Sequence, residues 1–232
     1  MKVLGIIPAR GGSKGIPQKN SKLLSGKPLI GYTIEAAIQS KYLDTVLLSS
    51  DDSKLIEIAK SYGLDVPFVR PAHLATDTSP TLDTVLHALN YLQLQGEYYD
   101  AVCLLQPTNP LRTSAFIDQA IETFTSSGAD ALISVLEVPH EYNPHWTFTE
   151  NEKGLLRIST GDTSVISRRQ DLPKAYYRDG SIYITKTSVL LEQKSLYGKS
   201  VSYLKADPER HVNIDTLDDW ERAEQLLAKI NL

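Results

Sequence analysis

The segment GIIPARGGSKGIPQKN, residues 5–20, combines cationic side chains with glycines directly after a short apolar run. Arg10, Lys14 and Lys19 supply three positive charges in this segment. Glycine lets a backbone approach a phosphate closely, and successive backbone amides can form an anion-binding concavity. This combination favours a phosphate-binding loop, and the alternative is a solvated basic turn.

Two common phosphate-binding motifs do not fit this sequence. A Walker A loop ends in Gly-Lys followed by Ser or Thr, but Gly26-Lys27 is followed by Pro28. The dinucleotide-binding fingerprint opens a helix directly, and here Ile16-Pro17 interrupts any such helix. The sequence therefore predicts a phosphate loop of another type and argues against an NAD-binding oxidoreductase.

The elements that must position this loop alternate between strand and helix. Apolar runs that predict strands lie at residues 2–7, 45–49, 66–69, 101–105 and 131–136, and later at 181–184 and 201–204. Helical patterns lie at residues 28–40, 53–62, 79–95 and 113–125, with a closing helix at about 217–230. Nearly continuous apolar strands are typical of parallel sheets covered on both faces. We therefore expect an α/β fold with a Rossmann-like, mainly parallel, doubly wound sheet, and ligands bind at the carboxyl edge of such sheets.

Composition narrows the class of protein further. The chain has 232 residues and a formal net charge of -4, which argues against a protein that coats a polyanion such as nucleic acid. One domain over residues 1–232 is expected. The single cysteine, Cys103, excludes an internal disulfide and lies in an apolar run that predicts a buried strand. No apolar run approaches the roughly 20 residues of a membrane span, so we expect a cytoplasmic protein without a membrane partner.

Residues 139–178 depart from the alternating pattern. This stretch is rich in prolines and tyrosines and includes His140, His145 and Trp146. We interpret it as an insertion or flap within the domain.

Seven segments in order resemble the cytidylyltransferases that activate sialic and related nonulosonic acids, the acylneuraminate cytidylyltransferase family. The first is the signature-like loop IIPARGGSKGIPQKN. The others are GKPLIGYTIEAA (26–37), SSDD (49–52), VPFVRPAHLATDTSPT (66–81), LLQPTNPLR (104–112), RRQDLPKAYYRDGSIYI (168–184) and NIDTLDDW (213–220). The resemblance covers nearly the whole chain.

The resemblance implies a fold of the nucleotide-diphospho-sugar transferase type with an inserted dimerisation flap, and hence a homodimer. It implies transfer of CMP from CTP to an acidic nine-carbon sugar, with release of pyrophosphate and Mg²⁺ as cofactor; Mn²⁺ is the alternative. The implied nucleotide-binding residues are Ala9, Arg10, Gly11, Gly12, Lys14, Lys19, Asn20, Arg70 and Ser79. The implied sugar-acid-binding residues are Gln106, Thr108, Arg169 and Tyr183, and the implied catalytic residues are Arg10, Lys14, Lys19 and Asp215.

The implied metal site departs from the family pattern. Where the family commonly carries Asp-x-Asp, this chain reads Asn213-Ile214-Asp215. The period of two in a strand would place Asn213 and Asp215 on one face, and Mg²⁺ accepts hard oxygen ligands together with water and phosphate. Because Asn213 offers a neutral oxygen, we expect weaker metal binding. The alternative role for Asp215 is that of N-cap of the last helix.

Two other functions remain open at this point. One is the related cytidylyltransferase for the eight-carbon acid of lipopolysaccharide, whose opening loop is similar. The other is a catalytically weak CTP-binding or regulatory relative, which Asn213 favours because it removes a metal-binding charge.

Overall fold

The computed structural model describes residues 1–230; the predicted domain, 1–232, therefore ends two residues outside the described range. The helices are α1 (Leu29–Ile38), α2 (Ser53–Ser61), α3 (Thr81–Leu94), α4 (Ser114–Ser127) and α5 (Leu217–Ile230). The strands are β1 (Val3–Pro8), β2 (Leu23–Leu24), β3 (Lys27–Pro28), β4 (Thr45–Ser49), β5 (Ala101–Leu105), β6 (Ala131–Glu137), β7 (Phe148–Glu150), β8 (Leu156–Ile158), β9 (Tyr176–Lys186) and β10 (Val201–Lys205).

The chain divides into two compact units. The first contains Met1–Ser134 and the chain from Asp179 onwards, and the second contains Val135–Arg178. The second unit includes the whole of the segment, 139–178, that the sequence sets apart.

A six-stranded sheet in the order β10-β6-β9-β5-β1-β4 organises the first unit. β1 runs parallel to both of its neighbours, so Ile6 lies opposite Leu47 of β4 and Leu104 of β5. β9 runs antiparallel to β5, with Tyr183 opposite Leu104. The prediction of a mainly parallel α/β sheet is confirmed.

Helices cover both faces of this sheet. On one face, strand residues such as Ile7 and Cys103 pack in a buried cluster with side chains of α1, α2 and α4. On the other face, Leu4, Ile6 and Val102 pack with side chains of α3. Removal of these apolar surfaces from water is the main force that stabilises the arrangement. It also explains why the strands read as nearly continuous apolar runs.

The predicted strand at 66–69 is wrong. This segment is extended but belongs to no strand, because Pro67 has no N–H to donate to a ladder. The chain is instead fixed to the end of β4 by a hydrogen bond from the Arg70 amide to the Ser50 carbonyl, 2.8 Å long.

The second unit contains an antiparallel hairpin of β7 and β8, in which Phe148 lies opposite Ile158. The Trp146 indole donates a hydrogen bond of 2.6 Å to the Ile166 carbonyl. The amide side chain of Asn143, which is buried, donates one of 2.9 Å to the Pro173 carbonyl. Hydrogen bonds from side chains to backbone carbonyls therefore connect distant parts of the irregular loops in this unit.

Within residues 1–230, the helices are all too short or too polar to cross a lipid bilayer.

Candidate active site

A polar cleft of about 280 Å³ lies at the carboxyl ends of β1 and β5. The predicted site residues that line it are Arg10, Gly12, Lys19, Asn20, Arg70, Ser79, Gln106 and Thr108. The glycine loop follows β1, and Gln106 and Thr108 follow β5. The cleft therefore lies where a parallel sheet offers space for a ligand.

The first half of the glycine loop is tied to the segment that follows β4. The Ala9 amide donates a hydrogen bond of 3.0 Å to the Ser49 carbonyl, and the Gly11 amide donates one of 3.2 Å to a carboxylate oxygen of Asp51. A Cβ atom at residue 11 would overlap the side chain of Asp52. Glycine is therefore required here by the close approach of two loops.

The second half of the loop is fixed against the chain that leads to α5. Ile16 is 1% exposed and packs in a cluster with Leu24 and with Trp220 of α5. A Cβ atom at Gly15 would overlap the Asp215 carbonyl. The loop thus brings its cations to the cleft on a backbone that packing holds in place.

Two carboxylates pair with the three cations of the loop. Arg10 and Lys14 contact different oxygens of Asp77, at 2.5 and 2.8 Å. Lys19 pairs with Asp215 at 2.9 Å and donates a hydrogen bond of 2.6 Å to the Ile214 carbonyl. Hydrogen bonds from Lys14 and Arg10 hold the pKa of Asp77 below its usual value. Lys14 does not line the cleft itself but reaches it through Asp77, and its side chain is 80% exposed.

Arg70 supplies a buried positive charge in the wall of the cleft. Its guanidinium donates hydrogen bonds to the hydroxyl of Ser49, at 3.1 Å, and to the carbonyl of the same residue. Burial lowers the pKa of Arg70 to about 10, so the group stays protonated at neutral pH. A buried cation held in this way favours an anionic ligand.

Gln106 and Thr108 add neutral polar side chains to the lining of the cleft. The Thr108 hydroxyl is buried and has no hydrogen-bond partner within residues 1–230. A Cβ atom built on Gly180 would lie 3.7 Å from the Gln106 side-chain oxygen and 3.8 Å from that of Asn213. The amide oxygens of Gln106 and Asn213 therefore approach the same glycine.

Asn213 and Asp215 are adjacent, as the strand-like period predicts. The Asn213 amide donates a hydrogen bond of 2.8 Å to Asp215, whose side chain is 64% exposed. Within residues 1–230 there is no cluster of three or more His, Cys, Asp or Glu side chains suited to a metal. The donor set of one carboxylate and one amide oxygen fits Mg²⁺, provided that phosphate and water oxygens complete the shell.

The N-cap of α5 is Thr216, so the alternative role predicted for Asp215 is wrong. The Thr216 hydroxyl accepts a hydrogen bond from the Asp219 amide at 3.2 Å, and the Thr216 amide donates one of 2.8 Å to the Asp219 carboxylate. This reciprocal pair is a capping box in which Asp replaces the usual Glu. The carboxylate of Asp215 is therefore directed at Lys19 and Asn213 instead.

Tyr183, which the resemblance assigns to the sugar acid, is not among the residues that line this cleft, and its role stays a prediction. Tyr183 is 5% exposed and packs in the cluster with Leu104 and Leu190. Strand alternation explains this, since Ile182 and Ile184 occupy the other face of β9. Arg169 lies in a 3-10 turn of the second unit, Arg169–Asp171, and its role stays a prediction.

Sequence patterns did not indicate a functional role for two residues that the structure brings to the site, Asp77 and Arg112. Asp77 lies in a polar loop, TDTSP, that gives no signal of an ion pair with the glycine loop. Arg112 is 5% exposed and donates hydrogen bonds to the carbonyls of Gln106, at 3.1 Å, and Ser181, at 2.6 Å. Both placements depend on contacts between segments that are far apart in the chain.

Known proteins resemble this chain over its whole length. A family model described as cytidylyltransferase matches residues 4–230. The chain is 39% identical over 231 residues to a pseudaminic acid cytidylyltransferase of Campylobacter jejuni, covering 100% of this chain and 98% of the relative. It is 36% identical over 230 residues to a CMP-N,N'-diacetyllegionaminic acid synthase of Legionella pneumophila, covering 98% of this chain and 97% of the relative.

A solved structure of CMP:2-keto-3-deoxy-manno-octonic acid synthetase, complexed with CTP, superposes with a TM-score of 0.73. The match covers 99% of this chain and 100% of the other, at 17% sequence identity, and so supports the fold. The sequence comparisons show the family as well as the fold, because a family model matches residues 4–230 and the two relatives are 39% and 36% identical to this chain. The chain therefore belongs to the cytidylyltransferase family of CTP-dependent nucleotidyltransferases.

Proposed function

We propose that the protein transfers CMP from CTP to the anomeric hydroxyl of a nonulosonic acid and releases pyrophosphate. The observation that carries this proposal is the convergence of Arg10, Lys19 and Arg70 on a cleft that is also lined by Gln106 and Thr108. The cations suit a polyphosphate, and the amide and hydroxyl groups suit a polar, hydroxyl-rich acceptor.

The cations act on the triphosphate. Arg10, Lys14 and Lys19 would neutralise the charge that builds on the α-phosphate and on the leaving pyrophosphate. Arg70 adds a charge that cannot move away, because its guanidinium is fixed to Ser49. The glycine loop allows the phosphates to approach the backbone closely.

The acceptor is held by Gln106 and Thr108. A glutamine amide both donates and accepts hydrogen bonds, so it can serve a hydroxyl and a carboxylate. The Thr108 hydroxyl is buried and has no hydrogen-bond partner within residues 1–230, so we propose that it becomes available to the substrate when the cleft adjusts on binding. The anomeric hydroxyl then attacks the α-phosphorus in line, and the bond to the bridging oxygen of pyrophosphate breaks. Positioning and charge stabilisation supply the rate, with no covalent enzyme intermediate.

Asp215 and Asn213 are the residues that would hold a divalent ion, which we propose is Mg²⁺. When bound, the ion would neutralise phosphate charge beside the cations of the loop. Its affinity is expected to be modest, because Asn213 contributes no charge and Asp215 is shared with Lys19 at 2.9 Å.

Asn213→Asp should lower the Mg²⁺ concentration that gives half-maximal activity by about tenfold, because a second carboxylate joins the site. The measurement is pyrophosphate release as a function of Mg²⁺ concentration at saturating CTP. Asn90→Asp, on the exposed surface of α3, makes the same change of charge and should leave the midpoint unchanged. An unchanged or higher midpoint for Asn213→Asp would exclude residue 213 as a ligand.

The nonulosonic acid is favoured over the eight-carbon acid of lipopolysaccharide as substrate. The relatives that match this chain at 36–39% identity are named for pseudaminic and legionaminic acids. The likeness to the synthetase for the eight-carbon acid rests on 17% identity and supports only the fold.

Pyrophosphate release from CTP and Mg²⁺ tests the proposal directly. The acceptors would be N-acetylneuraminate, a diacetyl-legionaminate, a pseudaminate and the eight-carbon acid. We expect release with one of the nine-carbon acids and none with CTP alone. Release with the eight-carbon acid only would reassign the substrate, and CTP binding without any release would favour a regulatory protein.

We also propose a cytoplasmic homodimer, in which the second unit takes part in the interface. Aromatic side chains such as Trp146 and the exposed Tyr142 suit such a role, since interfaces are enriched in aromatic residues. Light scattering of the purified protein should give a mass of about twice 25.7 kDa. A monomeric mass would reject this part of the proposal.

A further inference from the structure

Asp77 lies between two cations that the proposed function assigns to the triphosphate. One carboxylate oxygen contacts Arg10 at 2.5 Å, and the other contacts Lys14 at 2.8 Å. Asp77 also lines the cleft, and its side chain is 39% exposed. A negatively charged side chain thus lies inside a site whose other charged lining residues are cations.

The loop that carries Asp77 holds it in this position. The Ser79 hydroxyl donates a hydrogen bond of 2.9 Å to the His73 carbonyl and accepts one of 3.1 Å from the Thr76 amide. The hydroxyls of Thr76 and Ser79 are 2.7 Å apart. Asp77 is therefore carried on a closed turn, so only the Arg10 and Lys14 side chains have to be ordered for the two contacts.

The contacts of Asp77 are those that a phosphate would make. Two anionic oxygens of one group each accept from a different cation, which is how Arg and Lys side chains bind a phosphoryl group. A carboxylate and a phosphate cannot occupy the same donors together. Because these ion pairs lie near solvent, they are weak enough for a highly charged ligand to displace.

We propose that Asp77 is an internal counter-ion that occupies Arg10 and Lys14 in the free enzyme and competes with phosphate ligands for them. This inference rests on the proposed function. A triphosphate also reaches Lys19 and Arg70, so it displaces Asp77. Any phosphate ligand that takes these two cations must overcome the same displacement, so Asp77 weakens the binding of triphosphate and of pyrophosphate alike. Asp77 thereby favours the departure of pyrophosphate by pairing again with the two cations.

Asp77→Asn tests the inference, because asparagine has the same shape and no charge. We expect the dissociation constant of pyrophosphate to fall by about three- to tenfold, because the variant loses the two exposed ion pairs by which Asp77 competes. The dissociation constant of CTP should fall by a similar factor, because CTP displaces the same carboxylate. Both are measured by titration calorimetry with the intact protein, and pyrophosphate is also measured as an inhibitor of turnover.

Two further variants separate the role of this residue from a change of overall charge. Asp65→Asn, at an exposed position after α2, changes the net charge equally and should leave both constants unchanged. Asp77→Glu keeps the carboxylate, so its dissociation constant for pyrophosphate should lie closer to that of the wild type than to that of Asp77→Asn. Raising the salt concentration should reduce the difference between Asp77→Asn and the wild type, because exposed ion pairs are screened.

The outcomes distinguish this inference from the proposed function. Unchanged or weaker pyrophosphate binding by Asp77→Asn would overturn the inference, since it would make Asp77 a support for the two cations. Wild-type protein that binds neither CTP nor pyrophosphate would overturn the proposed function as well. Tighter pyrophosphate binding by Asp77→Asn but not by Asp65→Asn supports the competition.

Discussion

Arg10→Ala should reduce kcat by about 100- to 1,000-fold, because a donor aimed at developing phosphate charge contributes on this scale. Arg10 lines the cleft, and in the proposed function its charge acts on the phosphates of CTP. The measurement is the steady-state rate of pyrophosphate release with the substrate identified from the panel. Thermal unfolding should change little, since the Arg10 side chain is 32% exposed and its ion pair with Asp77 is near solvent.

A conservative variant and a surface variant sharpen this prediction. Arg10→Lys keeps the charge but loses the planar fork of donors, so its kcat should lie between those of the wild type and Arg10→Ala. Arg222→Ala removes an exposed arginine from α5 and should leave kcat within about twofold of the wild type. Full activity in a folded Arg10→Ala protein would remove Arg10 from the catalytic machinery.

Arg112→Ala should lower the free energy of unfolding by about 3–5 kcal/mol, the effect of breaking a buried charged network. The guanidinium donates hydrogen bonds to the carbonyls of Gln106 and Ser181, at 3.1 and 2.6 Å, and to the Thr33 hydroxyl, at 2.7 Å. Burial lowers its pKa to about 10, which still leaves it charged at neutral pH beside Asp179. Removal would leave the buried carbonyls of Gln106 and Ser181 and the Thr33 hydroxyl without this donor.

Urea denaturation measures this effect, and Arg112→Met serves as the comparison. Methionine restores part of the volume but none of the hydrogen bonds, so most of the loss should remain. A Met variant as stable as the wild type would show that the network contributes no net stability. Because Arg112 also fixes the Gln106 backbone, we expect the surviving Ala protein to have a raised KM for the acceptor.

The parts of the site that follow strands could be predicted from the sequence. Arg10 and Gln106 come after apolar runs that read as neighbouring parallel strands, and the carboxyl ends of such strands meet at one edge. Their convergence therefore follows from local pattern and topology. Lys19 belongs to the same cationic loop, whereas Arg70 is implied only by the family resemblance, and both line the cleft.

The parts that depend on packing between distant segments could not be predicted. Tyr183 lies on a β-like run, and only the register with β5 decides which of the two faces it occupies. Arg112 reads as a surface turn residue after two prolines, and its burial depends on Thr33 and Ser181. Asp77 is a single acid in a polar loop, and nothing local relates it to Arg10. The alternation of apolar residues and the positions of glycines report on residues that are close in the chain. They carry no information about contacts between distant segments, such as those of Arg112 and Asp77.

The burial of Cys103 has a practical consequence for following the enzyme in solution. Its thiol is fully enclosed on the central strand β5, and burial raises its pKa to about 12, so it should not react with maleimide or iodoacetamide reagents. As this is the only cysteine of the chain, the natural protein behaves as a thiol-free background. A fluorophore attached to a cysteine introduced at the exposed Thr78 would therefore report from a single site, beside the carboxylate that the triphosphate displaces. Its emission could be recorded through a complete turnover without any other substitution in the molecule.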